Sequence, residues 1–295
     1  MFLIIYKGGG LALKKEIIKT NRGEFEIFVG GKGTIPICIS HLYQEFLSGD
    51  EPFSNLIGQH YKVILVNLKN AGHTCKANSK KELTMEETVE DLESIREKLG
   101  YNTWAFAGHS TGGFLGLTYL NMYEEKLSEI ILCGTAASNK INHSKNNLFN
   151  VENRKYRKDA AKIFFKMSFP LMSKKTKEEA NKNFFQLCLY NKEKIEEYYK
   201  EIESIGINKS RMRAYSSEFR QYDVSEQIKN KSIPALILCG KYDVQCPVEF
   251  SEELHNLLPN SRLVIFEHSN HFPFIEEKEK FIIALQKFST KNYVS

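Results

Sequence analysis

Residues Trp104 to Leu117 read WAFAGHSTGGFLGL, and the middle of that stretch decides the fold. An apolar run breaks at Gly108-His109-Ser110-Thr111-Gly112-Gly113 and then resumes. A short apolar run ending in glycine, followed by a longer apolar segment, reads as a buried strand turning directly into a buried helix. A dinucleotide fingerprint would need glycine where Ser110 stands, and it would lie in the first strand-helix-strand unit, whereas two or more strands precede this one. A plain helix-packing turn accounts for Gly112 and Gly113 but leaves the serine at the apex unexplained. The pattern G-x-S-x-G, filled by Gly108, Ser110 and Gly112, accounts for all three. On so tight a turn, the strand end and the helix start come too close for side chains two residues either side of the apex. The same bend lifts the Ser110 hydroxyl to a helix N-terminus, where backbone N–H groups and the dipole favour negative charge.

A nucleophile of this kind needs partners in the chain order serine, acid, histidine. The apolar run PALILCG (Pro234–Gly240) is followed by Lys241-Tyr242-Asp243, and RLVIFE is followed by HSNHFPFIEE, which contains His271. Both Asp243 and His271 fall just beyond the C-terminal ends of strands, the edge at which open α/β sheets gather ligand and catalytic groups. In this reading His271 takes the Ser110 proton and Asp243 fixes the imidazole tautomer. His109 and His268 compete for the base: the first adjoins the nucleophile on a tight turn, and the second lies close to a strand end. Asp223, in RQYDVSEQI, lies before its strand, at the wrong end.

Around these motifs, short β-rich runs alternate with longer helical patterns, which predicts a mostly parallel sheet flanked by helices. KKEIIKT, EFEIFV, IPICIS (Ile35–Ser40), KVILVNL (Lys62–Leu68), TWAFAG and SEIILCG read as strands. Thr84-Met85-Glu86-Glu87 reads as a capping box opening a helix that stops at Gly100. The glycines of Gly30-Gly31-Lys32-Gly33 fail as a phosphate loop, because Gly33 stands where Ser or Thr must follow the lysine and Glu26 occupies the first glycine position. They read instead as a hairpin turn. From residue 137 to 224 the strand rhythm stops, and RKDAAKIFFKMSF, TKEEANKNFFQLCLY and NKEKIEEYYKEIESIG read as amphipathic helices with no strand among them. The expected organisation is therefore a core of residues 1–136 and 225–295 with a helical cap of residues 137–224 inserted into it.

With 295 residues the chain can bury a large core, and 42% hydrophobic with 26% charged residues is ordinary for a soluble protein. Its apolar runs fall far short of the roughly 20 residues of a membrane span. The N-terminal MFLIIYKGGG is too short for a secretory signal and has no small-residue cleavage site, so a cytoplasmic location is expected. The six cysteines form no CxxC pair, and no His/Cys cluster has zinc spacing, so buried free thiols and no metal are expected. Between Ala137 and Lys231 there are 21 Lys and Arg against 12 Asp and Glu, a net +9 that leaves −4 for the remainder of a chain with net +5. Few arginines and no interleaved aromatics make this a lysine-rich solvated surface rather than a nucleic-acid-binding one.

With GHSTGG, CGKYDVQCPV and EHSNHFPFIEE assembled, the chain resembles the α/β-hydrolase superfamily over nearly its whole length, and most closely its proline iminopeptidase and small-esterase branch. YDVSEQIKNKSIPALIL is similar to that family's return from cap to core. The resemblance implies a Ser-Asp-His hydrolase without a cofactor, acting on a small-molecule acyl substrate. It disfavours the members with an aspartate nucleophile, because Ser110 occupies the elbow. Two departures stand out. The His-Gly-Gly that usually follows the third strand is here His41-Leu42-Tyr43, so Thr111 supplies one oxyanion amide and Leu42 or Tyr43 the other. The family's D-x-R-G-x-G loop stands as Asn67-Leu68-Lys69-Asn70-Ala71-Gly72, without its usual charges. The paired tryptophans of the iminopeptidase cap are also missing, leaving Glu218 or another cap acid to recognise an amino terminus.

The leading expectation is hydrolysis of a small ester, thioester or amide through an acyl-Ser110 intermediate, with aromatics of FFKMSF or NFFQLCLY closing an apolar pocket. The alternatives are an iminopeptidase-like aminopeptidase, acyl transfer to a non-water acceptor, and a ligand-binding protein that kept the fold without efficient chemistry.

Overall fold

β1 (Lys14–Thr20) and β2 (Gly23–Gly30) form an antiparallel hairpin at one edge of an eight-stranded sheet. The computed structural model describes residues 11, 13–150, 152–153, 156–169 and 171–291; the opening MFLIIYKGGG lies outside them. The other sheet strands are β3 (Pro36–Ile39), β5 (Lys62–Val66), β6 (Trp104–His109), β7 (Leu127–Cys133), β9 (Ala235–Gly240) and β10 (Ser261–Phe266). Their order is β1-β2-β5-β3-β6-β7-β9-β10, parallel from β5 onward. A separate antiparallel pair joins β4 (Gln44–Phe46) to β8 (Ile205–Ile207).

The inner strands are apolar throughout because both of their faces are covered. Every residue of β6 and β9 is buried. Alternate residues supply two cores. Ile64, Phe106, Ile130 and Ile237 pack on one side with α2 (Met85–Lys98), α3 (Thr111–Met122) and α9 (Val248–Leu257). Val63, Ala107, Ile131 and Leu236 pack on the other with α1 (Pro52–Ile57), α10 (Pro273–Glu276) and α11 (Lys278–Lys291).

Between β7 and β9 the chain forms α4 (Arg157–Ser168), α5 (Lys174–Leu187), α6 (Ile195–Glu201), α7 (Lys209–Glu218) and the short α8 (Ser225–Ile228). Where this segment leaves and rejoins the core its two ends pair: Val224 N donates to Ala137 O at 2.9 Å and Asn139 N to Tyr222 O at 2.8 Å.

Four expectations need correction. Gly30–Gly33 is not a hairpin turn, because β2 pairs with β5 rather than β3. The segment instead runs against the turn before β5, where a Cβ on Gly33 would lie 1.9 Å from His60 O. The stretch 137–224 does contain a strand, β8, which pairs with a loop of the core. Only half of the capping box forms: Thr84 Oγ1 accepts from Glu87 N at 3.3 Å, while the Glu87 carboxylate turns to Arg22. The stretch from about Pro273 to Thr290, which reads in sequence as one closing helix, is two helices broken at Glu277 with φ −130°. All six cysteines are free, five of them buried.

Candidate active site

Ser110 occupies the bend between β6 and α3 with φ 54° and ψ −120°. A non-glycine residue at positive φ stores roughly 1–3 kcal/mol of strain, held here by neighbouring backbone. Its N–H donates to Cys133 O at 2.9 Å, and its carbonyl accepts from Gly113 N at 2.9 Å. The flanking glycines are a steric requirement: a Cβ on Gly108 would lie 2.3 Å from Gly112 C, and one on Gly112 would lie 2.4 Å from Ser40 O.

Asp243 follows β9 and is 3% exposed. Its Oδ1 accepts from Gln245 N and Cys246 N, both at 2.8 Å, and so has a fixed orientation. Its Oδ2 lies 2.9 Å from His271 Nδ1. His271, in the loop between β10 and α10, is 1% exposed, and its own N–H donates to Cys188 O at 3.1 Å. Gly134 (φ +53°) backs this pair, since a Cβ there would lie 3.0 Å from Asp243 Oδ2 and 3.2 Å from His271 Nδ1. The structure thus joins His271 to Asp243, while Ser110 Oγ makes no hydrogen bond to His271 among the described residues.

The competing residues have other partners. His109 donates from Nε2 to His271 O at 2.9 Å and packs its ring 4.5 Å from the His271 ring, so it supports the loop. Burial holds it neutral, well below the usual histidine range. His268 is exposed, and Asp223 pairs with Lys140 at 3.1 Å.

Beside the elbow lies the loop after β3. Positive φ occurs among the described non-glycine residues only at Asn70, Ser110 and Asn230, so Leu42 occupies its usual-glycine position without that strain. Gln44 N lies 3.1 Å and Tyr43 N 3.4 Å from His41 Nδ1. Burial, helped by His271 and Arg211, lowers His41 to about 3, so the ring is neutral and Nδ1 accepts. Thr111 Oγ1 lies 3.1 Å from both ring nitrogens. The amides of Leu42 and Thr111 donate to no acceptor among the described residues, whereas the Tyr43 amide has His41.

The loop after β5 is not stripped of charge, as its sequence implies. Lys69, 4% exposed, meets Glu82 and Asp91, each at 3.1 Å. Glu26 enters from β2, accepting from Asn67 Nδ2 at 2.7 Å, and Asn67 Oδ1 accepts from Phe46 N at 2.8 Å. These partners come from distant parts of the chain, so no local motif signals them.

Two further suggestions concern the segment between β7 and β9. Glu218 does not face the site: its carboxylate caps α2, accepting from Met85 N at 3.0 and 3.1 Å. Phe165 and Phe169 are 56% and 37% exposed and stack on each other rather than enclosing a pocket, and the Phe164 side chain lies outside the described ones. From the second aromatic stretch, Phe185 is buried 4.8 Å from Phe272, whose ring lies 5.2 Å from that of His271. Aromatics missed by the sequence reading come from α7: Tyr215 lies 5.5 Å from Tyr43 and 6.2 Å from Phe114 of α3.

Residues 38–278 match the family model described as alpha/beta hydrolase fold. An alpha/beta fold family hydrolase from Bacillus anthracis superposes with TM-score 0.89 at 39% identity, over 94% of this chain and 99% of that one. A proline iminopeptidase of Saccharolobus solfataricus is 28% identical over 257 residues, 82% of this chain and 80% of its own. The AB hydrolase superfamily protein YclE of Bacillus subtilis is 24% identical over 80% of this chain and 86% of its own. No helix among the described residues is long and apolar enough to cross a membrane.

Proposed function

This chain belongs to the α/β-hydrolase family, and we propose that it is a serine hydrolase that cleaves a small ester, thioester or amide through an acyl-Ser110 intermediate. The observation that carries this reading is the buried His271–Asp243 pair, 2.9 Å apart, on the same sheet edge as the strained Ser110.

His271 Nδ1–H is held by Asp243, which leaves Nε2 to take the Ser110 proton as Oγ attacks the acyl carbon. The tetrahedral oxyanion is received by the amides of Thr111 and Leu42, whose N–H groups have no other acceptor among the described residues; Tyr43, already facing His41, is the less suited donor. Collapse expels the alcohol, thiol or amine, protonated by His271. Water, activated by the same imidazole, then releases the acid. The Asp243 carboxylate carries the negative charge that stabilises the imidazolium in both halves. No cofactor takes part in this scheme.

Residues 137–224 act as a cap over a core of 1–136 and 225–295, a division supported by the paired backbone at 137–139 and 222–224. Phe185, Phe272 and Tyr215 favour an apolar acyl group. The five buried free thiols suit a reducing compartment, the cytoplasm.

Aminopeptidase action is the second reading, favoured by the similarity to the Saccharolobus enzyme; against it, Glu218 is occupied at α2. Acyl transfer uses the same triad with another acceptor in place of water, and a ligand-binding protein would bind acyl compounds without turnover. Activity across p-nitrophenyl esters of increasing chain length and a prolyl arylamide separates these readings. Ester turnover that disappears in Ser110→Ala supports the proposal, while turnover that survives the substitution contradicts it.

A further inference from the structure

α7 places one cation deep inside the protein. Arg211 is 1% exposed, and none of its partners is a carboxylate: Nε donates to Leu42 O at 2.6 Å, Nη1 to Lys69 O at 3.3 Å and Nη2 to Thr88 Oγ1 at 2.9 Å. Burying a guanidinium on neutral acceptors is costly. Burial pulls it below its ordinary value to about 10, with only the more distant Asp91 and Glu218 opposing. Those acceptors lie on three separate core elements, the loop after β3, the loop after β5 and α2. A charge retained at that cost, from a helix outside the sheet, calls for an explanation other than stability.

The loop after β3 supplies one. In this chain Leu42 and Tyr43 stand where two glycines are usual, and Leu42 packs in the main core. Besides Asn67 and His41, the loop is held by the segment around α7. Arg211 takes the Leu42 carbonyl, Asn208 N donates to Tyr43 O at 2.8 Å, and β8 pairs residue by residue with Gln44–Phe46. Asn208 Nδ2 also donates to Asn70 O at 2.7 Å in the neighbouring loop. Fixing the Leu42 carbonyl fixes the plane of the Leu42–Tyr43 peptide, and the Leu42 N–H, in the preceding peptide, then keeps only the rotations about its own Cα. The fixed peptide also carries the Tyr43 N–H, on the opposite side of a trans bond from the bonded oxygen.

We propose that Arg211 is a positioning residue that sets the oxyanion hole from the inserted segment, by holding Leu42 through its carbonyl oxygen. It touches neither substrate nor nucleophile; it acts through the Leu42 peptide. The proposal rests on the serine-hydrolase reading above, and it makes residues 205–211 a structural part of the site rather than a removable cover.

The test compares wild type with Arg211→Met, which fills the space and donates nothing, and Arg211→Gln, which keeps one donor. The probes are an ester that the wild type turns over and a trifluoromethyl ketone of matching acyl chain. The ketone captures the oxyanion geometry, since Ser110 Oγ adds to its carbonyl carbon and the Ser110 proton passes to the imidazole. Arg211→Met is expected to lower kcat by about 10- to 100-fold with KM within about twofold, and to weaken the ketone by the same factor as kcat, because hole donors act on the transition state. Arg211→Gln is expected to recover part of both. A folded Arg211→Met with unchanged kcat overturns the proposal. So does a fall in kcat without weaker ketone binding, which marks a general structural defect. If Arg211→Met does not fold, Arg211→Gln alone is read by the same ratio of kcat loss to ketone loss. A wild type that neither turns over any acyl ester nor binds the ketone refutes the hydrolase reading, and this assignment with it; an active wild type with indifferent Arg211 variants refutes this assignment alone.

Discussion

The carbonyl oxygen of Cys188, at the end of α5, accepts the backbone N–H of His271 at 3.1 Å. A residue of the segment between β7 and β9 therefore holds the proposed base by its main chain. Glu276 completes the attachment: Oε1 accepts from Tyr190 N at 2.8 Å and Asn191 N at 3.0 Å, and Oε2 from Asn270 N at 2.8 Å. One carboxylate clasps both loops. Glu276→Ala is expected to lower kcat by about tenfold, since small misplacements of a catalytic group are costly. Glu276→Gln retains an acceptor oxygen on one side and falls between. Steady-state kinetics on a single ester checks the order wild type, Gln, Ala.

Gly134 sits against the Asp243–His271 pair with φ +53°. Alanine there meets both left-handed strain of about 1–2 kcal/mol and a Cβ pressed against the Asp243 carboxylate. Gly134→Ala is expected to lower stability by at least that amount and to reduce kcat by more than tenfold, measured by denaturant unfolding and ester turnover. A variant with reduced stability but full kcat contradicts the assigned closeness of Gly134 to the pair.

Asp243→Asn keeps the shape of the acid and can leave His271 in the wrong tautomer. It is expected to cost about 10³–10⁴ in kcat, with KM little changed. The comparison is made on the ester that the wild type hydrolyses fastest.

Stability falls in acid through two windows. His41 is held at about 3 against an ordinary 6.5. The unfolded chain therefore binds a proton that the native state refuses, and stability drops as pH falls from 6.5 toward 3. His109 acts in the same direction. Burial works against the ionised Glu26, but Lys15, the His73 amide and Asn67 outweigh it and hold it at about 2 against an ordinary 4.5. Its contribution is present above pH 4.5 and is lost as pH falls through 2. His41→Asn, with an acceptor near the Nδ1 position, is expected to flatten the first window, and Glu26→Gln the second. Urea unfolding across pH checks both.

The elbow was legible because sterics write it into the chain: Gly108, Ser110 and Gly112 are where backbones touch, and only glycine fits on either side. The strands were legible for a related reason, since a strand buried on both faces has no polar position to hide it. What stayed unreadable depends on pairs far apart in sequence. Ile205–Ile207 has too little apolar periodicity to mark a strand and becomes one only because Gln44–Phe46 lies beside it. Arg211 reads as one more cation in a basic stretch until its three acceptors are brought to it. Glu218 shows the converse: an acid offered, among others of the cap, for recognising an amino terminus is engaged at the N-terminus of α2. Gly30–Gly33 misled because glycines that admit a crossing chain look, in sequence, like glycines that turn a hairpin.

The most direct test of the central claim is mass spectrometry of the full-length protein after treatment with a fluorophosphonate. The expected result is one adduct per chain, located on Ser110, absent from Ser110→Ala and strongly slowed in folded His271→Ala. A folded wild type that takes up no adduct, or takes it up on another residue, contradicts the account.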